Sequence, residues 1–140
     1  MAKTFKFEVV TPEKVFYSNN VDMIIFNRED GEMGVMADHM PMVVAVDVGM
    51  LKIIKDGMYK FAAISEGFIE ITDKGVTAIV DAAEWPEDID VERAERSKKL
   101  AEEKLKEYRK NKEMETLLKL SIVRANNRIK VAKNRWVYVE

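Results

Sequence analysis

The sequence predicts an α+β protein, in which an N-terminal antiparallel β sandwich or barrel precedes a C-terminal antiparallel hairpin of two helices. Short apolar segments with strand periodicity recur through the first part of the 140-residue chain. After Trp85-Pro86 the periodicity becomes helical, and a proline cannot lie inside a central strand. We therefore predict a sandwich domain over residues 1–86 and a helical hairpin domain over residues 87–140.

The strands are predicted from alternation and from turn residues. Phe5, Phe7 and Val9 alternate with charged residues, as in a half-buried strand. Asp56-Gly57 favours the positive φ angles of a tight hairpin turn. Further strands are expected in the apolar runs at residues 21–26, 42–48, 51–53, 59–63, 68–71 and 76–80. A structural loop is predicted around Gly31, Gly34, His39 and Pro41.

Two helices are predicted, over residues 88–110 and 113–133, joined by a polar break at Asn111. The apolar face of the first helix is thin and rich in alanine, while that of the second is stronger. We expect such a hairpin to need a second surface, a ligand or a partner for stability, and therefore to be able to move. The apolar tail at residues 136–139 could form an extra strand, a plug or a disordered end.

Composition excludes several classes of function. The chain has no cysteine, which rules out disulfides and thiol catalysis. No run of eighteen apolar residues is present, so no membrane-spanning helix is predicted. His39 is the only histidine, and it has no nucleophile at a recognisable spacing. We predict a hydrogen-bonding role for it, no catalytic residue and no metal site.

Charge is distributed unevenly along the chain. Residues 1–88 carry eight basic and sixteen acidic side chains, whereas the remainder carries fifteen basic and nine acidic ones. Residues 116–139 contain six basic residues and no acidic one. Like charges without acidic neighbours destabilise an exposed helix, which predicts an acidic or phosphate-bearing partner. The candidate partner-binding residues are Lys119, Arg124, Arg128, Lys130, Lys133 and Arg135.

A second candidate site lies where the hairpin closes on itself. The end of the second helix would bring Arg124 and Arg128 to the start of the first, beside Glu84, Asp90 and Arg93. Arginines bind phosphates well, so this cluster predicts a nucleotide site. The alternative is local, with Asp90 capping the helix and Arg93 pairing with it.

Two other classes of function compete with a regulatory, non-catalytic role. A β barrel with a basic helix could bind nucleic acid, although the acidic first part would repel phosphates. A small nucleotide-processing enzyme is less favoured, because the chain has no phosphate-binding glycine loop.

Three blocks of sequence resemble the epsilon subunits of bacterial F-type ATP synthases, and the likeness covers essentially the whole chain. The blocks lie at residues 9–13, 31–41 and 65–71. The chain departs from the family pattern at residues 36–38 and at Glu66, where the family often has glycine. The resemblance implies a non-catalytic subunit of the central stalk, peripheral on the cytoplasmic face of the cell membrane. It also implies contacts of the sandwich with the gamma subunit and the rotor c-ring.

The resemblance further implies that the hairpin moves between a compact and an extended form. When extended, it would reach an acidic segment of the catalytic beta subunits, within the alpha/beta head, and inhibit ATP hydrolysis. Some family members bind ATP in the compact hairpin as a regulatory ligand, and no cofactor is required. The residues of this chain that match their motif are Glu84, Ile89, Asp90, Arg93, Ala94, Arg124 and Arg128. Leu100 stands where some of those relatives carry a basic residue.

Overall fold

A computed structural model of the chain describes residues 3–133 and the backbone of residues 137 and 138. The nine main strands are β1 Phe5–Val10, β2 Val15–Val21, β3 Met23–Arg28, β4 Gly31–Met36, β5 Met42–Val46, β6 Gly49–Lys55, β7 Met58–Ile64, β8 Gly67–Thr72 and β9 Gly75–Val80. Two short strands complete the sheets, β10 Ala83–Glu84 and β11 Val137–Tyr138. The helices are α1 Val91–Glu107 and α2 Lys112–Ala132, and a 3-10 turn at Pro86–Asp88 precedes α1.

The strands form two facing sheets. The first has the order β2-β1-β9-β8-β5, and the second has the order β10-β7-β6-β3-β4, with β11 added at the edge of β7. Among the described strands every pair is antiparallel except β1 and β9, which are parallel. Phe7, Phe26, Leu51 and Ile69 are fully buried between the sheets. The predicted sandwich followed by two helices is confirmed.

The turn predicted at Asp56-Gly57 has the expected backbone. Asp56 has a φ of 51° and Gly57 a φ of 76°, so both central residues are in the left-handed region that such a tight hairpin requires. The backbone N–H of Asp56 also donates to the Asp22 carboxylate at 2.9 Å. This bond ties the hairpin of β6 and β7 to the start of β3.

The loop predicted around residues 31–41 is partly wrong. Gly31 and Gly34 belong to strand β4, whereas His39 and Pro41 do lie in a connection between strands. The error arose because the glycines hide the alternation of side chains that marks a strand. Gly34 pairs with Ile25, and a Cβ there would lie 2.5 Å from the terminal methyl of Met23.

The helix boundaries are also corrected. The first helix begins at Val91 and not at residue 88, because Asp90 has extended backbone angles and is the N-cap. Its carboxylate accepts a hydrogen bond from the backbone N–H of Arg93 at 3.0 Å. Asn111 caps α2 in the same way, by accepting from the N–H of Met114 at 3.2 Å. Such caps typically stabilise a helix by about 1 kcal/mol.

The described part of the tail forms a strand. Val137 pairs with Tyr59 and Tyr138 pairs with Met58, both in β7. Of the three alternatives considered for residues 136–139, the extra strand therefore applies to these two residues. The remainder of that tail lies outside the described residues.

Candidate functional site

The face of α2 that meets the sandwich carries two arginines paired with glutamates. The Arg128 Nε donates to Glu84 Oε1 at 2.6 Å, and its Nη2 donates to Glu84 Oε2 at 3.0 Å. Glu84 lies in β10, which pairs with the end of β7. This two-pronged geometry fixes the guanidinium plane as well as its distance, so it orients the end of α2 on the sandwich.

One turn earlier on α2, Arg124 makes the second ion pair. Its Nη2 donates to Oε1 of Glu66, in the turn between β7 and β8. Between the two arginines, the Asn127 side-chain amide donates to the Gly49 carbonyl at 2.9 Å. Three successive polar contacts therefore hold this face of α2 against the second sheet.

A small apolar cluster lies next to these polar contacts. Ala63 of β7, Ile89 and Val131 of α2 are buried together. Met50, Val91 and Ala132 pack against them. The start of α1 and the end of α2 thus meet on the second sheet, as a closed hairpin requires. The second sheet of the sandwich therefore supplies a second surface of the kind that the hairpin was expected to need.

The chain leaves the sandwich for the hairpin at an aromatic cluster. Trp85 stacks on Phe16 with ring centroids 4.3 Å apart. The Lys60 ammonium lies 4.0 Å from the Trp85 ring centroid, in cation–π geometry. Burial lowers the pKa of Lys60, and the nearby charge of Glu87 opposes that shift. These contacts fix Trp85 to the sandwich at the point where the chain leaves it for the hairpin.

The structure distributes the predicted nucleotide-site residues over several roles. Ile89 is buried with Ala63 of β7 and Val131 of α2, and Ala94 of α1 is fully buried. Asp90 caps α1, as the local alternative proposed, but through the Arg93 backbone. The Arg93 side chain is exposed, and it has no ion pair within residues 3–133. Of the three arginines, Arg93 is therefore the one that does not already bind a carboxylate.

The predicted partner-binding residues divide between two faces of α2. Arg124 and Arg128 face the sandwich, whereas Lys119, Lys130 and Lys133 are exposed. Lys119 pairs at 2.7 Å with Glu115, which lies just before the stretch without acidic residues. Arg135 lies outside the described residues.

Two residues of this contact surface were missed by the sequence reasoning, Glu66 and Asn127. Glu66 stands where the resembling family often has glycine, and that departure was the available signal. Asn127 is a polar residue on the inner side of α2, but its partner is a backbone carbonyl 78 residues away in sequence. No local pattern identifies such a partner.

His39, a candidate from the predicted loop, makes a local contact. The His39 Nδ1 lies 2.9 Å from the Met40 carbonyl oxygen, the hydrogen-bonding role expected of it. Within the described ranges, no three His, Asp or Glu side chains are grouped as metal ligands. No helix among the described residues is long and apolar enough to span a membrane.

Comparison with known proteins decides the family. The beta-sandwich domain of the ATP synthase delta/epsilon chain matches residues 4–86, and the long alpha-helix domain of the same chain matches residues 87–133. The chain belongs to the epsilon chains of F-type ATP synthases. Epsilon chains are non-catalytic subunits of the stalk. The two domain matches confirm the resemblance predicted from the three sequence blocks.

Relatives in this family match along most of the chain. The ATP synthase epsilon chain of Alkaliphilus oremlandii is 46% identical over 105 residues, 75% of this chain and 78% of the relative. That of Caldicellulosiruptor bescii is 43% identical over 129 residues, 92% of this chain and 93% of the relative.

Solved structures support the fold. A chain in the mitochondrial ATP synthase of Euglena gracilis, solved with OSCP, F1 and c-ring, superposes with a TM-score of 0.78 at 21% identity. The superposition covers 94% of this chain and 82% of that one. At that identity the likeness concerns the fold alone. The nucleic-acid alternative has no support from the family, and two of the arginines on which it relied are bound to glutamates.

Proposed function

We propose that the chain couples rotation of the rotor to ATP synthesis and that its hairpin regulates ATP hydrolysis by leaving the sandwich. The observation that carries the regulatory part is the docking surface of α2, which combines two ion pairs and one amide contact with a small apolar cluster around Val131. Side chains of the Arg128–Glu84 pair are 28% and 32% exposed, and those of Arg124–Glu66 are 41% and 38% exposed. Surface pairs of this kind contribute about 0.2–1 kcal/mol each. The two ion pairs therefore stabilise the docked form only weakly.

Release of the hairpin would leave more of its positive charge without an acidic partner from the sandwich. In the docked form, Glu66 and Glu84 neutralise Arg124 and Arg128. Once released, both arginines join the exposed lysines and form a basic helix that suits an acidic segment of the catalytic beta subunits. The same arginines thus serve one of two acidic partners at a time. A free-energy difference of about 1.4 kcal/mol shifts such an equilibrium tenfold.

We propose the outer face of the first sheet as the gamma-subunit contact. Three large apolar side chains there are exposed by more than half: Val43, Phe68 and Ile79. Phe68 pairs with Ile79 on one side and with Ala45 on the other, so these three residues form a continuous row across three strands, and Val43 lies two residues before Ala45 on β5. An exposed apolar row of this size marks a protein contact. On the opposite sheet, α2 covers strands β6 and β7.

Phe68→Thr is expected to weaken binding of the gamma subunit by about tenfold or more, the size of an interface hot spot. Threonine removes the ring and favours a strand, so the sandwich should remain folded. Affinity for purified gamma subunit would be measured by surface plasmon resonance. Leu117→Gln is the matched control, because Leu117 is equally exposed but lies on α2. Wild-type affinity in Phe68→Thr would exclude this face as the contact.

The remaining contacts and the location follow from assembly. We propose that the sandwich rests on the rotor c-ring and that the alpha/beta subunits receive the released hairpin. The chain would then be peripheral, on the cytoplasmic face of the bacterial cell membrane. Its position would be fixed by these partners.

We propose ATP as a regulatory ligand of the docked hairpin. The donors suit phosphates, because three arginines lie on the segments that meet at the second sheet. The cavity lined by Glu84, Arg124, Asn127 and Arg128 has a volume of only about 80 Å³. That volume accommodates a phosphate-sized group, while a complete small-molecule ligand needs about 300 Å³ or more. ATP binding would therefore require the arginines to turn away from their glutamates.

Arg93→Ala is expected to weaken ATP binding by the full-length chain about tenfold or more, the size of a charged hydrogen bond. Arg93 is the informative arginine, since Arg124→Ala would also break a docking contact. Isothermal calorimetry would measure the affinity, with Lys99→Ala as an exposed α1 control. If the wild-type chain gives no heat at millimolar ATP, the nucleotide proposal fails.

A further inference from the structure

We infer that Glu66 is a built-in competitor of the nucleotide: its carboxylate holds Arg124 and keeps the hairpin docked when no ATP is bound. The competition part rests on the proposed ATP site, whereas the docking part does not. Because the carboxylate occupies the arginine that a phosphate would use, Glu66 would set the ATP concentration at which the site responds.

The Glu66 backbone is held firmly by neighbouring strands. Ser65 exchanges hydrogen bonds with Ala82, its N–H donating to the Ala82 carbonyl at 3.0 Å and its Oγ accepting from the Ala82 N–H at 2.8 Å. The Asp81 N–H donates to the Glu66 carbonyl at 3.4 Å. The acid is therefore presented from a rigid edge of the sandwich, and the arginine comes from the element proposed to move.

The Arg124–Glu66 pair is incompletely bonded. The buried Arg124 Nε and the buried Glu66 Oε2 have no hydrogen-bond partner among the described residues. In the neighbouring pair, in contrast, the Nε and Nη2 of Arg128 each donate to a different carboxylate oxygen of Glu84. A phosphate group can accept from Nε and Nη2 of an arginine together, which the Glu66 carboxylate does not do here. Arg124 is thus the arginine that gains most by exchanging its glutamate for a phosphate.

The direction of the effect on affinity follows from the states involved. Glu66 stabilises the docked chain without ATP, and that state is the reference from which ATP binds. In the bound state Arg124 has turned to the phosphates, and Glu66 remains as an unpaired negative charge near them. Both effects weaken ATP binding. Removing the charge of Glu66 should therefore loosen the hairpin without ATP and tighten ATP binding.

Docking can be measured directly, because the natural chain has no cysteine to interfere with labelling. Fluorophores on Lys14→Cys in the sandwich and Lys110→Cys at the tip of the hairpin would report docking by energy transfer. Without ATP, Glu66→Gln is expected to raise the equilibrium constant for undocking about two- to fivefold, as loss of an exposed ion pair predicts. Glu70→Gln is the control, because Glu70 is an exposed acidic residue on the outer face of the first sheet, four residues after Glu66.

Calorimetry on the same variants tests the competition. Glu66→Gln should bind ATP at least twofold more tightly than wild type, while Glu70→Gln should not differ from it. Reversing the pair, with Glu66→Arg and Arg124→Glu together, should return docking towards the wild-type level but weaken ATP binding below that of wild type, because Arg124 no longer supplies a donor to the phosphates.

The outcomes separate the inference from the function on which it rests. Unchanged docking in Glu66→Gln would overturn the inference, as would weaker ATP binding by that variant. If no variant binds ATP, the proposed nucleotide function fails and the competition with it. The energy-transfer result would still decide whether Glu66 holds the hairpin.

Discussion

A complex assembled with a chain that ends after Asn111 is expected to hydrolyse ATP faster than the complete complex, by about three- to tenfold. The truncation removes α2 and with it Arg124, Arg128 and the exposed lysines. No inhibitory segment is then left to reach the catalytic subunits. Initial rates would be measured for both complexes at equal concentration, over a range of ATP and salt concentrations.

Assembly should survive this truncation, for a structural reason. The core between the two sheets contains no residue of α2, and the apolar row proposed for gamma lies on the other face of the sandwich. The second cluster does lose Val131, so α1 would lose its contacts. Co-purification with the gamma subunit checks assembly, and a complex with Lys130→Gln and Lys133→Gln is an intermediate control. Identical hydrolysis rates under every condition would contradict the inhibitory role.

Salt concentration should also affect the equilibrium between the docked and extended forms of the hairpin. Two partly exposed ion pairs contribute to the docked form of the hairpin. The proposed extended form would also rely on ion pairs, between its basic residues and the beta subunits. Exposed pairs weaken as ionic strength rises. The rates should therefore be compared at matched salt concentrations, since salt acts on both positions of the hairpin.

Most of the sandwich could be predicted from local sequence signals. The alternation in β1 predicts a strand and Asp56-Gly57 predicts a tight turn, because both signals depend only on residues that are neighbours in sequence. Strand β2, Val15–Val21, was missed, since its centre is the polar run Ser18-Asn19-Asn20. It pairs with β1 along its length, so tertiary pairing overrides a weak local preference.

The contacts of the candidate site are harder to predict for a related reason. The helical pattern was sufficient to predict that Arg124 and Arg128 lie together along one edge of the apolar face of α2. Their partners could not, because Glu66 and Glu84 are 58 and 44 residues away. Acidic residues are numerous in the first part of the chain, and only the folded sheets select these two. The closing of the hairpin did predict Glu84 near Arg124 and Arg128, but as part of a nucleotide site and not as the ion-pair partner of Arg128.

Gly67→Ala is expected to destabilise the sandwich by about 3 kcal/mol or more, the range in which backbone must move to relieve overpacking. A Cβ at Gly67 would lie 2.0 Å from the Ile79 carbonyl oxygen and 2.8 Å from the Val80 Cα. Both atoms belong to the backbone of β9, so no side chain can rotate away. Strands β8 and β9 would have to separate at the point where Gly67 pairs with Val80.

Gly57→Ala is the matched control for that substitution. Gly57 has a φ of 76°, which is unfavourable for alanine, but nothing lies within 4 Å of its Cβ position. It should cost only about 1–2 kcal/mol, the conformational term alone. Urea unfolding followed by far-ultraviolet circular dichroism would compare the variants. Because Glu66 directly precedes Gly67, separation of β8 from β9 should also undock the hairpin in the labelled chain. An equal cost for both substitutions would show that close backbone approach is not what requires glycine at residue 67.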